Sequence, residues 1–423
     1  MFIGGFFMYI KPIFLLSIFI TSLTASLSAD TWKVLFYMDS SDSLSDMAIK
    51  NITDMIRGKP NNMVEFVIQL HAYCDAGLRY HVTENGLEFV QEITLSGDSR
   101  QDFIDAAGWA FANNDFDHTM LIMSNHGWGI LDPQWNEETK EWEVDEGSLS
   151  QCGCLTKSIK EHKKHRGFMF STTPRVYLNN NDLIDGLAVI QQNTLNGKKI
   201  DILAFDTCMG DMFEIAYLVA PYAYYLVGSQ SCSLTDGFDY QGIMGVLNQG
   251  LSVREVAVGM VDTFDAYYST HDNSGIYTHA ALDLSRIYTV SNALDILVKQ
   301  LLKVPTVVPV LIKARNKSPR FCLWPMYTDL VAFCKLVHEG LSTMQPPDEL
   351  CVIQDALHDV YDSVFSLVVA QCGGTATQGF AHGVAIYLPW AAVESSYYVT
   401  IFSQESQWVK LLELIAAQKC FTL

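Results

Sequence analysis

Two short segments carry side chains suited to covalent chemistry. His126-Gly127 follows the apolar run HTMLIMSN, and Asp206-Thr207-Cys208 follows IDILAF. A thiolate is a strong nucleophile, but a free thiol titrates near ~8.5 and is mostly protonated at neutral pH. A neighbouring imidazole favours ionisation and can later hand the proton to a leaving amine. Cys208 and His126 are therefore the candidate nucleophile and proton-transfer partner. Gly127 has no side chain, so its N–H, together with that of Cys208, can approach a developing oxyanion. The pattern after Cys208 predicts a helix over 210–220, whose N-terminal amides would favour an anion at the thiol. The competing reading is that His126 is an ordinary loop residue and Cys208 a small buried hydrophobe.

Both segments need strands to deliver them. WKVLFYM (32–38), VEFVIQL (64–70), HTMLIMS (118–124), IDILAF (200–205) and YYLVG (224–228) are short apolar runs rich in β-branched and aromatic residues. Between them, spacings such as Leu44, Met47, Ile52, Met55 and Ile56, and the run 101–111 begun near Ser99, suit helices. Strands alternating with helices predict a parallel sheet covered on both faces. In such a sheet ligands bind beyond the carboxyl ends of the strands, the edge to which both segments are delivered.

Residues 131–182 differ in texture. An acidic part (Glu137, Glu138, Glu141, Glu143, Asp145, Glu146) precedes a basic part, KSIKEHKKHRGF, at 157–168. A segment this long inside a sheet domain reads as a functional linker or activation segment. The acidic run offers oxygen atoms to calcium, without the spacing of an EF-hand. From 286 helical patterns dominate, interrupted by a late strand signal at Gly383–Leu388. The expected organisation is a 30–285 domain and a mainly helical 286–423 region that packs on it and completes the fold.

Composition narrows the function classes. The 423 residues carry 27 basic and 47 acidic side chains, a formal charge of −20, which argues against a nucleic-acid partner. Lys11 and Pro12 precede an apolar run from Ile13 to about Leu23, with small residues up to Ala29. That pattern predicts an export signal over 1–29, with a membrane role only if the segment stays uncleaved as an anchor. Ten cysteines are scattered without CxxC or zinc spacing, and export permits disulfides. No metal site or required cofactor is expected, and a thiol-disulfide enzyme built on Cys152 and Cys154 is the weakest reading.

The block HTMLIMSNHGWG, followed by IDILAFDTCMGDMFEIAYLVAPYAYYLVGSQSCSLTDGFDY, resembles the clostripain-like cysteine peptidases, relatives of caspases, legumains and gingipains. WKVLFYMDSSDSL, DSRQDFIDAAGWA, HAALDLS (279–285), YTDLVAFCKLV (327–337), GVAIYLP and FSQESQW extend the resemblance along the chain. It implies a caspase-like α/β/α sandwich with a mostly parallel sheet, Cys208 as nucleophile and His126 as general acid/base. It also implies protein or peptide substrates cut after Arg or Lys, and Asp206 on the floor of the specificity pocket. The other reading of Asp206 is a cap on the following helix. The resemblance further implies a precursor cut between the His and Cys strands, where Lys157, Lys160, Lys163, Lys164 and Arg166 offer basic sites. Two departures are Asn125, where the family often has Asp, and Ser229-Gln230-Ser231, where it usually has acidic residues near the substrate cleft. A silent relative acting as a secreted binding protein would be expected to have lost one of His126, Gly127, Asp206 and Cys208.

Overall fold

A computed structural model of the chain describes residues 30–39, 44–71, 76–113, 115–131, 134–136, 141–143, 168–170, 177–234, 236–321, 326–344, 348–390 and 392–417. Residues 1–29, the basic segment up to 167, Cys152 and Cys154, and the side chains of the acidic run lie outside these.

Five strands form the parallel heart of a nine-stranded sheet: β1 (Trp32–Asp39), β2 (Val64–His71), β5 (His118–Ser124), β10 (Ile200–Asp206) and β11 (Ala223–Gly228). A hairpin of β3 (Ala76–Thr83) and β4 (Gly86–Thr94) extends one side, antiparallel to β2. On the other side β12 (Thr278–Asp283) runs antiparallel to β11, and β14 (Val368–Gly373) antiparallel to β12. The order is β14-β12-β11-β10-β5-β1-β2-β3-β4. Four short strands pair in the 131–182 stretch: β6 (Gln134–Asn136) with β7 (Glu141–Glu143), and β8 (Phe168–Phe170) with β9 (Tyr177–Leu178). A separate antiparallel ribbon joins β13 (Tyr327–Asp329) to β15 (Ala385–Tyr387).

The central strands are apolar on both faces because both faces are covered. Leu35, Tyr37, Leu121, Met123, Leu203 and Phe205 enter one core. Their alternate neighbours Val34, Phe36, Met120, Ile122, Ile202 and Ala204 enter the other. Helices Ser99–Ala110, Asn180–Val189 and Ile287–Leu301 contribute to the first core. Helices Tyr240–Leu247 and Val253–His271 contribute to the second. Helices also form over Val308–Lys317, Leu330–Leu341, Asp348–Leu367 and Trp408–Ala417. Residues on both sides of position 285 share the first core, and β14 from the later region is an edge of the sheet. Among the described residues no helix is long and apolar enough to cross a membrane.

One local expectation is corrected. The helix after Cys208 begins at Phe213, not at 210, and runs only to Val219. Met209 takes φ 57°, and a Cβ on Gly210 would lie 2.8 Å from the Phe205 Cβ. Met212 is then engaged in a bridge to Ala385, so the chain cannot turn helical until Phe213.

Candidate active site

Strand register brings the two segments together. β5 and β10 pair in parallel, with Ser124 opposite Asp206. His126 and Cys208 therefore each lie two residues beyond the same rung of the ladder. The turns they occupy are in direct contact. A Cβ on Gly127 would overlap the Cys208 carbonyl oxygen and lie 2.7 Å from Thr207 Oγ1. Only glycine permits that approach.

Cys208 is a free, half-buried cysteine. Burial pushes its thiol up to about 11, and the nearby Asp206 carboxylate adds to the rise. Backbone N–H groups of Ser233, Gly127 and Cys208 itself act the other way, favouring the thiolate. The expected help from a helix N-terminus is absent, because four residues separate Cys208 from the helix. Met209, directly after Cys208, sits in the left-handed region, a strained conformation costing about 1–2 kcal/mol per residue. Its N–H donates to the Ser231 carbonyl at 2.9 Å, and the Asp211 N–H to the Ser229 carbonyl at 3.0 Å. The Cys208 turn is thus hung on the segment after β11.

His126 is half-buried, and its backbone N–H donates to the side-chain oxygen of the buried Asn125.

Asp206 is 3% exposed at the end of β10. Its Oδ2 accepts from Tyr240 Oη at 2.6 Å, Phe238 N at 3.3 Å and Ser124 Oγ at 3.5 Å. Among the described residues its Oδ1 accepts a single long bond, from Ser233 Oγ at 3.4 Å. Burial raises its pKa, and these bonds oppose the rise. Gly237, at φ +68°, packs so closely that a Cβ would lie 2.6 Å from Oδ2. Asp206 does not cap the following helix, whose N-cap is Met212 and has no side-chain cap. Among the described residues no Lys or Arg pairs with it.

Ser229, Gln230 and Ser231 are all buried and face inward. Ser229 Oγ lies 2.9 Å from Thr278 Oγ1, while Gln230 Nε2 donates to Asp329 Oδ2 at 2.9 Å. The side chains of Ser229 and Gln230 thus tie this segment to β12 and β13 while the Ser229 and Ser231 carbonyls hold the Cys turn, in contrast to the cleft-lining position expected from the resemblance. Among the described residues no group of His, Cys, Asp and Glu is placed to hold a metal ion. Cys334, Cys351 and Cys372 are free like Cys208, and Cys232, beside Ser233, is disulfide-bonded. Sequence reasoning gives Ser233 no role and takes Gly237 and Tyr240 only as part of the family block that ends in DGFDY. In that motif the glycine between an acidic and an aromatic residue was the available signal.

A mostly parallel sheet between helical layers, with a Cys and a His turn at one edge, defines a cysteine peptidase of the caspase-like type. The sequence model of the Clostripain family matches residues 157–414. The chain belongs to the clostripain family and is a cysteine peptidase. No curated protein matches the sequence. Among solved structures, the fold is similar to a secreted cysteine protease of Bacteroides thetaiotaomicron, "iotapain", at TM-score 0.63 and 16% identity, over 89% of this chain and 99% of that one. The same type of enzyme from that organism, in complex with an irreversible peptide inhibitor, gives TM-score 0.62 at 16% identity, over 90% and 99% of the two chains. An inactive zymogen from Parabacteroides distasonis gives TM-score 0.59 at 14% identity, over 91% and 99%.

Proposed function

We propose that this peptidase is an exported endopeptidase that cuts after Arg or Lys through a Cys208/His126 dyad. The observation that carries the dyad is the contact of the two turns: shared register at Ser124 and Asp206, and Gly127 pressed on the Cys208 carbonyl. In the reaction, His126 takes the Cys208 Sγ proton and the thiolate attacks the peptide carbonyl carbon. Gly127 N–H and Cys208 N–H receive the oxyanion of the tetrahedral intermediate. The C–N bond then breaks, and His126 gives its proton to the departing amine. Water, deprotonated by His126, attacks the thioester and releases the new carboxylic acid with the thiol restored. Burial holds the Cys208 thiol protonated, so in this mechanism the proton leaves Sγ for His126 as the thiolate forms.

The preference for a basic residue is supported by Asp206, a buried carboxylate with no cationic partner among the described residues and one oxygen weakly satisfied. A cationic side chain would supply the missing charge. Maturation by self-cleavage within 157–168 accords with the basic residues there and with a zymogen among the similar folds. The dyad needs no metal, and any calcium requirement would rest on the 137–146 acidic run.

The test is hydrolysis of fluorogenic peptides ending in Arg, Lys, Asp or Leu by the purified protein and by Cys208→Ala. Cleavage after Arg and Lys alone, abolished in Cys208→Ala, is the expected result. Activity persisting in Cys208→Ala would sink the dyad, and cleavage after Asp or Leu would sink the pocket. Purified Cys208→Ala should also stay intact at 157–168 when no protease is added.

A further inference from the structure

The β13–β15 ribbon belongs to the later part of the chain, yet it grips both turns of the site. On the Cys208 side, Ala385 N donates to the Asp211 carbonyl at 2.9 Å, and Met212 bridges to Ala385. On the His126 side, Tyr327 Oη donates to the Trp128 carbonyl at 2.7 Å. Tyr327 is fully buried. Trp128 is two residues from His126, in a stretch (125–131) with neither strand nor helix to fix its backbone. The turn closes onto the tyrosine: Gly129 has φ +76°, and a Cβ there would lie 3.3 Å from Tyr327 Cζ. Beyond it, Asn180 Nδ2 donates to the Ile130 carbonyl at 3.0 Å, so the far end of the turn has its own anchor.

We propose that Tyr327 is a positioning residue of the peptidase reaction: through the Trp128 carbonyl, its hydroxyl fixes the His126-Gly127 turn against the Cys208 turn. The inference rests on the Cys208/His126 reading above. The same ribbon that carries Tyr327 also carries Ala385, so one piece of structure bonds to both turns. Losing the hydroxyl releases only the His side. Substrate affinity is unaffected in this account, because the hydroxyl acts on the geometry of proton transfer and oxyanion support. Displacements on the order of 1 Å at a catalytic group cost about 10²-fold in rate.

The experiment uses the full chain and a peptide that the wild type cleaves. Tyr327→Phe is expected to lower kcat by at least about 10-fold with KM changed by less than about 2-fold. Site-specific p-aminophenylalanine at 327, which restores an N–H donor at the same place, should recover most of kcat. Tyr397→Phe serves as the comparison: that hydroxyl is also buried and donates to Glu214 Oε1 at 3.1 Å, but not to the His turn. It should lose stability without a matching loss of kcat. Should Tyr327→Phe not fold, p-aminophenylalanine against p-fluorophenylalanine at 327 carries the comparison, since the pair differs chiefly in the donor. The proposal is overturned if folded Tyr327→Phe keeps wild-type kcat, if the amino variant fails to rescue, or if Tyr397→Phe loses as much. Cys208→Ala run in parallel separates the two ideas. If it still cleaves, the dyad itself is wrong; if it is silent while Tyr327→Phe is unimpaired, only the positioning role fails.

Discussion

Replacing Asp206 by Asn removes one charge and almost no volume, so charge and packing can be read separately. If the Asn side-chain oxygen takes the place of Oδ2, it still accepts from Tyr240, Phe238 and Ser124. The amide nitrogen then faces Ser233 Oγ, 3.4 Å away in the wild type and able to accept. The fold should therefore hold. A Lys or Arg entering the proposed pocket would instead be buried without its counter-charge, at a cost of about 3 kcal/mol or more, on the order of 100-fold in kcat/KM. Peptides ending in Leu should change little.

Stability gives an independent reading of the same variant. Burial raises the Asp206 pKa, so between the unfolded and folded values the native protein binds more protons. Wild-type stability is then lost as pH rises through that window, and Asp206→Asn is free of that loss. The variant should melt at or above the wild-type temperature at neutral pH, and the two should converge near pH ~3. The assays are kcat/KM on paired Arg and Leu peptides and thermal melts at both pH values. Arg-peptide turnover within about 3-fold of wild type would refute the charge argument. A collapse of the melting temperature at neutral pH would refute the isosteric one.

Gly127→Ala would drive a methyl into the Cys208 carbonyl and Thr207, and should lower kcat by about 100-fold while the protein stays folded, measured against a folded control by circular dichroism. Glu214 is fully buried in the helix after Cys208, with Oε1 accepting from Tyr387 N at 2.9 Å, and burial lifts its pKa to about 7. Because the folded value is raised, wild-type stability should fall as pH rises from ordinary carboxylate values to about 7, by roughly 3 kcal/mol, whereas Glu214→Gln melts should lack that slope. Removing the Cys232 disulfide with Cys232→Ser should cost about 2–4 kcal/mol in chemical denaturation, and an unchanged midpoint would show that the bond contributes nothing.

The placement of the proposed dyad was legible because its delivery is local. HTMLIMS and IDILAF are unambiguous buried strands, and the chemistry begins where their apolar runs stop. Register then does the rest, since parallel neighbours release their next residues at one level. Elements whose signals are not local were missed. β14 follows the helix Asp348–Leu367 with no residue between, and no Gly or Pro marks the change from helix to strand. The β3–β4 hairpin lies at the sheet edge, where one strand is exposed along nearly all its length, so it lacks a continuous apolar run.

The same distinction explains why the supports of the site escaped notice while its proposed reactive groups did not. Tyr240 reaches Asp206 across 34 positions, Gln230 reaches Asp329 across 99, and Tyr327 reaches the Trp128 carbonyl across 199. No periodicity or spacing encodes such bonds; each exists because two distant segments are packed against one sheet edge. Buried polar groups must find partners or pay the cost of desolvation, so the turns that present His126 and Cys208 constrain residues far along the chain. Much of the peptidase site is therefore built by the region after residue 285, which supplies no proposed reactive atom. Its contribution is to hold two irregular turns at one separation, a task that Tyr327, Asp329 and Ala385 share from a single ribbon.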